Sequence, residues 1–237
     1  MAVDKLVDSS QLDADLTSVA NAIRTKGGTS ASLAFPAGFV SAVEAIPTGG
    51  GGYSIEDIAS TTGVSGDITA DLTNITIRTR TFQNFKGIES FHGIFGNRYM
   101  TQYCFCDCTS LKTLVAFSTK TGIGSTYVCS GCTALEKVDY TTNEGIATSH
   151  FSGCSVLNTL ILRRTAGIVS LNSTGAFNNS PFASAGSGGT LYVPSALIST
   201  YQSATNWSTI LGYANNSIQA IEGSQYENYY ADGTPVT

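Results

Sequence analysis

The sequence predicts a mainly β fold with short helices, a right-handed solenoid of about five short repeats preceded by a small helical anchor. Three observations lead there. One side-chain pattern returns at nearly constant intervals through the middle of the 237 residues, which is how a repeat array announces itself. A run of four glycines at 49–52 separates that region from a leading segment with helical spacing. Only 12% of the residues are charged, while Gly, Ser, Thr and Asn are abundant, so the surface is polar without being ionic.

The leading segment carries Leu12, Leu16, Val19, Ala20 and Ile23 at helical intervals, with Ser10 placed as an N-cap and Gly27-Gly28 as a stop. A second short helix begins at Pro36, which suits the first helical position, and runs through Phe39, Val43 and Ile46 to Pro47. Helices this short need outside packing. Residues 1–47 are therefore read as an anchor that docks on another chain or on copies of itself, so a homo-oligomer is expected. The anchor side chains are Leu12, Leu16, Val19, Ile23, Phe35, Phe39 and Val43. Residues 48–54 form the flexible linker.

The repeats occupy 55–190. Their pattern is an aromatic or Cys, then a second position three residues on, then aliphatics at two further steps of three. It reads Phe82-Phe85-Ile88-Phe91, Phe105-Cys108-Leu111-Leu114, Cys129-Cys132-Leu135-Val138 and Phe151-Cys154-Leu157-Leu160, with a degraded copy from Phe177 and Ser180. The second positions, 85, 108, 132, 154 and 180, step by 23, 24, 22 and 26, inside the range for leucine-rich repeats. Each copy continues into a short strand with alternate residues turned inward, and Gly and Thr-Asn clusters turn the chain back. Leu191-Tyr192-Val193 reads as a last strand. Pro194 opens a helix through Tyr201, and Trp207, Ile210, Ile218 and Ile221 complete a C-terminal cap over 191–223 that closes the solenoid end. The tail, 224–237, holds Tyr226, Tyr229, Tyr230 and Asp232-Gly233, and reads equally as an ordered tail or a contact site.

All six cysteines fall between Cys104 and Cys154. Cys129-x-x-Cys132 has the spacing of zinc ligands, and an even count suits disulfides. The register favours a third reading. Cys108, Cys132 and Cys154 share a position that is Phe85 or Ser180 elsewhere, so they form a buried structural ladder with no metal and no cofactor. Cys104 and Cys106 lie off that ladder. His92 and His150 have no nucleophile or carboxylate at a recognisable spacing, and the glycine runs lack the Gly-Lys-Ser/Thr element of a phosphate loop. The chain is therefore read as non-enzymatic.

The net charge of −5 and the lack of Lys/Arg clusters exclude a nucleic-acid groove. The first residues carry Asp4 and Asp8 rather than a basic flank, and no stretch is apolar for long enough to span a bilayer. A soluble chain made in a cytoplasm, with reduced thiols and no membrane insertion, is the expectation. The outward strand positions Thr113, Val115, Lys137, Asp139, Thr159, Ile161 and Arg163 form one continuous sheet face, the candidate place for a ligand.

The units 106–111, 129–135 and 151–157 resemble the BspA-like, or Treponema-type, leucine-rich repeats of bacterial surface proteins. Leu191-Tyr192-Val193-Pro194, with Tyr201 and Asn206-Trp207-Ser208, looks like the segment that closes such arrays. Residues 8–47, with Ala22-Ile23-Arg24-Thr25-Lys26-Gly27-Gly28 and Leu33-Ala34-Phe35-Pro36-Ala37-Gly38-Phe39, are similar to a short domain at the start of phage and prophage tail or baseplate proteins. Together the resemblances imply a bacteriophage virion protein assembled in the bacterial cytoplasm. Residues 1–47 would hold other virion proteins, and the repeats would present a surface to a host cell-surface glycan or protein. A purely architectural decoration protein and a bacterial surface adhesin are the alternative readings.

Overall fold

The computed structural model describes residues 66–236; the anchor positions Leu12 to Val43 and the linker at 48–54 lie outside them. Seven parallel strands form one sheet in strict chain order: β1 (Gly66–Asp71), β2 (Ile88–Gly96), β3 (Thr113–Ile123), β4 (Lys137–Gly145), β5 (Thr159–Leu162), β6 (Thr190–Val193) and β7 (Ser217–Ala220). Each strand is one edge of one repeat. Equivalent residues therefore meet across the ladder, as a period of two dozen residues requires, in a solenoid.

The inward rows show why the sequence stacks. Ile68, Phe91, Leu114, Val138, Leu160, Leu191 and Ile218 lie side by side. The next inward row is Ala70, Gly93, Ala116, Tyr140 and Leu162. Apart from Ile218, the described members of both rows are buried. Gly93 is the exception in size for a steric reason: a Cβ there would lie 2.6 Å from the Phe91 ring and 2.9 Å from that of Phe95.

A second set of stitches runs along the opposite wall. Phe82 N–H donates to Cys104 O at 2.8 Å, Phe105 to Val128 O at 2.8 Å, Cys129 to His150 O at 2.9 Å and Phe151 to Ala176 O at 2.8 Å. The rings on this wall pack with each other, Phe82 on Phe105 at 5.0 Å and Phe151 on Phe177 at 5.5 Å between centroids. Four turns pass through the left-handed region twice, at Arg80 and Asn84, Tyr103 and Asp107, Tyr127 and Gly131, and Ser149 and Gly153, and the next passes through it once, at Asn179. Only two of these nine are glycine, so the tightness of the turn overrides a steric cost of about 1–2 kcal/mol per side chain.

The C-terminal end corrects one expectation. Leu191-Tyr192-Val193 is not the last strand, because β7 follows it and pairs in parallel with β6. Between them lie a 3-10 turn (Ser195–Leu197), helix α1 (Ile198–Ser203) and helix α2 (Trp207–Leu211). These plug the core: Trp207 Nε1 donates to Val169 O at 2.8 Å, and Val169 N donates to the Tyr201 hydroxyl at 2.9 Å. The cap is thus itself another rung, with the aromatic anchors read from the sequence set inside it.

Candidate functional site: the outer sheet face and its strap

The outward face has two rows. Asp67, Ser90, Thr113, Lys137, Thr159, Thr190 and Ser217 form one; Thr69, His92, Val115, Asp139, Ile161, Tyr192 and Gln219 form the other. Thr113, Lys137 and Thr159 therefore align, as do Val115, Asp139 and Ile161. Arg163 follows just beyond β5, its N–H donating to Tyr140 O.

The centre of this face, where several of the candidate ligand positions lie, is covered and not open to solvent, while Asp67 and Thr69 at one end and Ser217 and Gln219 at the other are exposed. Val115, Asp139 and Ile161 are each 0% exposed, and Thr159 is 9% exposed. The chain's own tail, residues 224–236, covers them as a strap. Tyr226, Tyr230 and Ala231 form a small apolar cluster with Val115, Ile161 and Ile221, flanked by Phe117 and Tyr192 and separate from the main core. Tyr192 meets Tyr226 edge-on at 4.8 Å, and Phe117 meets Tyr230 at 5.0 Å. The strap closes on itself where Tyr230 N donates to Thr234 O and Val236 N to Asn228 O.

Charge explains why the strap sits there. Asp139 is a carboxylate set between the apolar Val115 and Ile161 of the outward row, and burying it alone would be costly. Arg163 meets it in a two-pronged pair, Nε to Oδ1 at 2.8 Å and Nη2 to Oδ2 at 2.9 Å. Ala231 N–H donates to Oδ2 at 3.0 Å. Burial pushes the Asp139 carboxyl up, while the guanidinium and the amide draw it back. Arg163 also donates to Tyr226 O at 2.9 Å and Tyr229 O at 2.8 Å, and its guanidinium lies 4.9 Å from the Tyr230 ring centre. The side chain thus serves strand, strap and buried charge together.

At the strap's far end, His92 Nδ1 lies 2.6 Å from Asp232 Oδ2, and Thr234 N–H and hydroxyl both donate to Asp232 Oδ1. Burial would raise the Asp232 carboxyl, but the bonds from His92 and Thr234 outweigh it and hold it below its usual range. Asp232 and Thr234 both approach the same histidine nitrogen, Nδ1. Asp232 and Thr234 thus tie the far end of the strap to His92 on β2.

Beside the strap, at the C-terminal ends of β2 to β5, the face opens into a groove of about 340 Å³. Ile94, Phe117 and Thr141 line it in successive rungs, with Thr119, Asn143 and Arg164 around them. None of these except the neighbouring Arg163 was singled out from the sequence. Continuing the same in-and-out alternation two residues past Thr113, Val115 and Lys137, Asp139 would have found Phe117 and Thr141. The strap contacts carry no such periodic mark.

The cysteines serve the interior. Cys108 Sγ donates to Phe82 O at 3.0 Å, Cys132 to Phe105 O at 2.9 Å and Cys154 to Cys129 O at 3.0 Å. Each thiol thus reaches the carbonyl at the first position of the preceding repeat. Cys104, Cys106 and Cys129 are also buried, and all six thiols are free. Burial pushes Cys106 up to about 11 and Cys154 up to about 12. His150 is enclosed, with Nδ1 against Ser125 O and Nε2 against the Tyr140 hydroxyl, both at 3.1 Å. Among the described residues no group of three or more His, Cys, Asp or Glu is arranged to hold a metal ion, and no helix is long and apolar enough to cross a membrane.

Comparison with known proteins adds one match. The family model for the BspA type leucine rich repeat region fits residues 65–204 in six copies. No curated protein and no solved structure matches the chain.

Proposed function

The chain belongs to the BspA type leucine-rich repeat family, whose repeat regions are binding or structural modules, and from that premise we propose that it is a phage or prophage virion protein carrying a host-binding domain. Residues 1–47 attach it to other virion proteins, and the repeats meet a glycan or protein on the host surface. The observation that carries the binding half is the groove at the strand ends of β2 to β5, a concave, partly apolar site rimmed by hydroxyls beside the strap-covered centre of the face. The anchoring half rests on the likeness of residues 8–47 to the leading domain of tail and baseplate proteins. Many copies on one particle would turn weak single contacts into firm attachment.

The test separates the halves. Fluorescently labelled full-length chain is expected to stain host bacteria, and a chain lacking residues 1–54 is expected to be missing from assembled particles. Incorporation of the truncated chain would remove the anchor role, and absence of staining on every candidate host would remove the binding role. The strap favours a second reading: by covering Val115, Asp139 and Ile161 it withdraws much of the face that a partner would use. On that reading the protein decorates or cements the particle and touches no host.

A further inference from the structure

We propose that the groove at the C-terminal ends of β2 to β5 is a saccharide site that prefers an acidic sugar, with Arg164 as its charge-reading residue. The inference rests on the host-binding reading and names the ligand class for it.

The lining has two chemistries in the arrangement a pyranose presents. Such a ring has an apolar face of C–H bonds and a rim of hydroxyls. Ile94, 43% exposed, and Phe117 supply apolar surface on adjacent strands, in register with each other. The exposed Thr119 and Thr141 and the half-buried Asn143 supply donors and acceptors around it. A volume of about 340 Å³ falls at the small end of the range for ligand sites, about 300–1,000 Å³. That suits one or two sugar rings better than a protein surface.

Charge selects among sugars. Two arginines line the groove, and they differ in how far the protein satisfies them. Arg163 is neutralised by Asp139 and committed to two strap carbonyls. Arg164 donates through Nη1 to Ile168 O at 3.0 Å, forms no ion pair among the described residues, and has a buried Nε without a partner. Glu144, which is not among the lining residues, is hydrogen-bonded to Ser118 of the lining and is pushed up to about 7 by burial. The groove therefore holds one uncompensated cation in a partly dry setting, where a charge-assisted contact is at its most effective. A carboxylate on a sugar ring supplies the counter-ion that the Arg164 guanidinium lacks among the described residues.

The experiment is calorimetric titration of the full-length chain with trigalacturonate, against the neutral galactotriose as control. Trigalacturonate is expected to bind more tightly than the neutral trisaccharide by about tenfold, the worth of one charge-assisted contact. Arg164→Gln is expected to erase that difference. Thr141→Glu, at an exposed strand position remote from the core, places a negative charge in the groove and is expected to abolish acidic binding even if the arginine variant folds poorly. No heat of binding at millimolar saccharide, equal affinity for both trisaccharides, or affinity unchanged by Thr141→Glu overturns the proposal. Cell staining that Thr141→Glu leaves intact overturns the groove while host binding stands. Absence of staining by the parent chain removes host binding, and the titration then decides the groove alone.

Discussion

The thiol of Cys132 is fully buried among aliphatic and aromatic neighbours, yet it donates a hydrogen bond to Phe105 O, which its own repeat already uses through Cys108 N–H. An alanine there would leave a small void and withdraw one of two donors from an enclosed carbonyl. The expected cost is about 1–3 kcal/mol in chemical denaturation, with Cys132→Ser recovering part of it because the hydroxyl keeps the donor. A serine variant no better than the alanine would show that thiol volume, not the bond, is what the ladder needs. The repeat position of these cysteines was legible because a ladder in space is a period in sequence. The identity of the acceptor was not, since it lies on the preceding rung's backbone. Tyr103 and Tyr127 mark the same limit: their left-handed backbone is dictated by the turn they share with Arg80 and Ser149, and side-chain type gives no hint of it. Their rings stack at 5.1 Å with Arg80 beyond, so the strained positions are also made useful for packing.

The strap is the element that changes how the molecule is understood. Its sequence shows three tyrosines and an Asp-Gly turn, enough to suggest order but not a destination, because nothing in it repeats. Its destination is set by the outward row of the sheet, where Asp139 interrupts apolar residues and requires both Arg163 and the Ala231 amide. The Asp139 side chain is 0% exposed and that of Arg163 is 9% exposed, so the pair lies out of water. Removing one partner strands the other, at a cost of about 3–5 kcal/mol for Arg163→Ala. Replacing both, Arg163→Met with Asp139→Leu, is expected to restore most of that loss, since an apolar pair of similar bulk suits the surrounding cluster. Thermal unfolding of the two variants checks this, and a double variant as unstable as the single one would show that the strap is held by its tyrosines and not by the ion pair. The reading of residues 1–47 as a helical anchor rests on spacing and resemblance, and those residues lie outside the described ones.

At the scale of the whole molecule, two enclosed groups, His150 and Glu144, bend stability against pH in opposite senses. His150 is lowered to about 4 because burial opposes its charged form, so the stability it contributes is complete above its unfolded value of 6.5 and is lost as pH falls from there to about 4. Glu144 is raised to about 7, again by burial, so its contribution is complete below 4.5 and is lost as pH rises from there to about 7. The hydrogen bonds agree with a protonated Glu144: Ser118 has one hydroxyl proton, within reach of both Arg98 O at 2.8 Å and Glu144 Oε1 at 2.8 Å, and a neutral carboxyl can donate where the serine does not. Each group is worth on the order of 3 kcal/mol across its window, and between pH 4.5 and 6.5 the two slopes cancel. Glu144→Gln fixes the neutral form and removes one slope. The stability of that variant relative to the parent is therefore expected to climb from pH 4.5 to 7 by as much as about 3 kcal/mol, leaving the histidine's rise with pH uncovered. Denaturation midpoints taken across this range decide it. Parallel curves for parent and variant would mean that Glu144 ionises in the folded chain as it does in water.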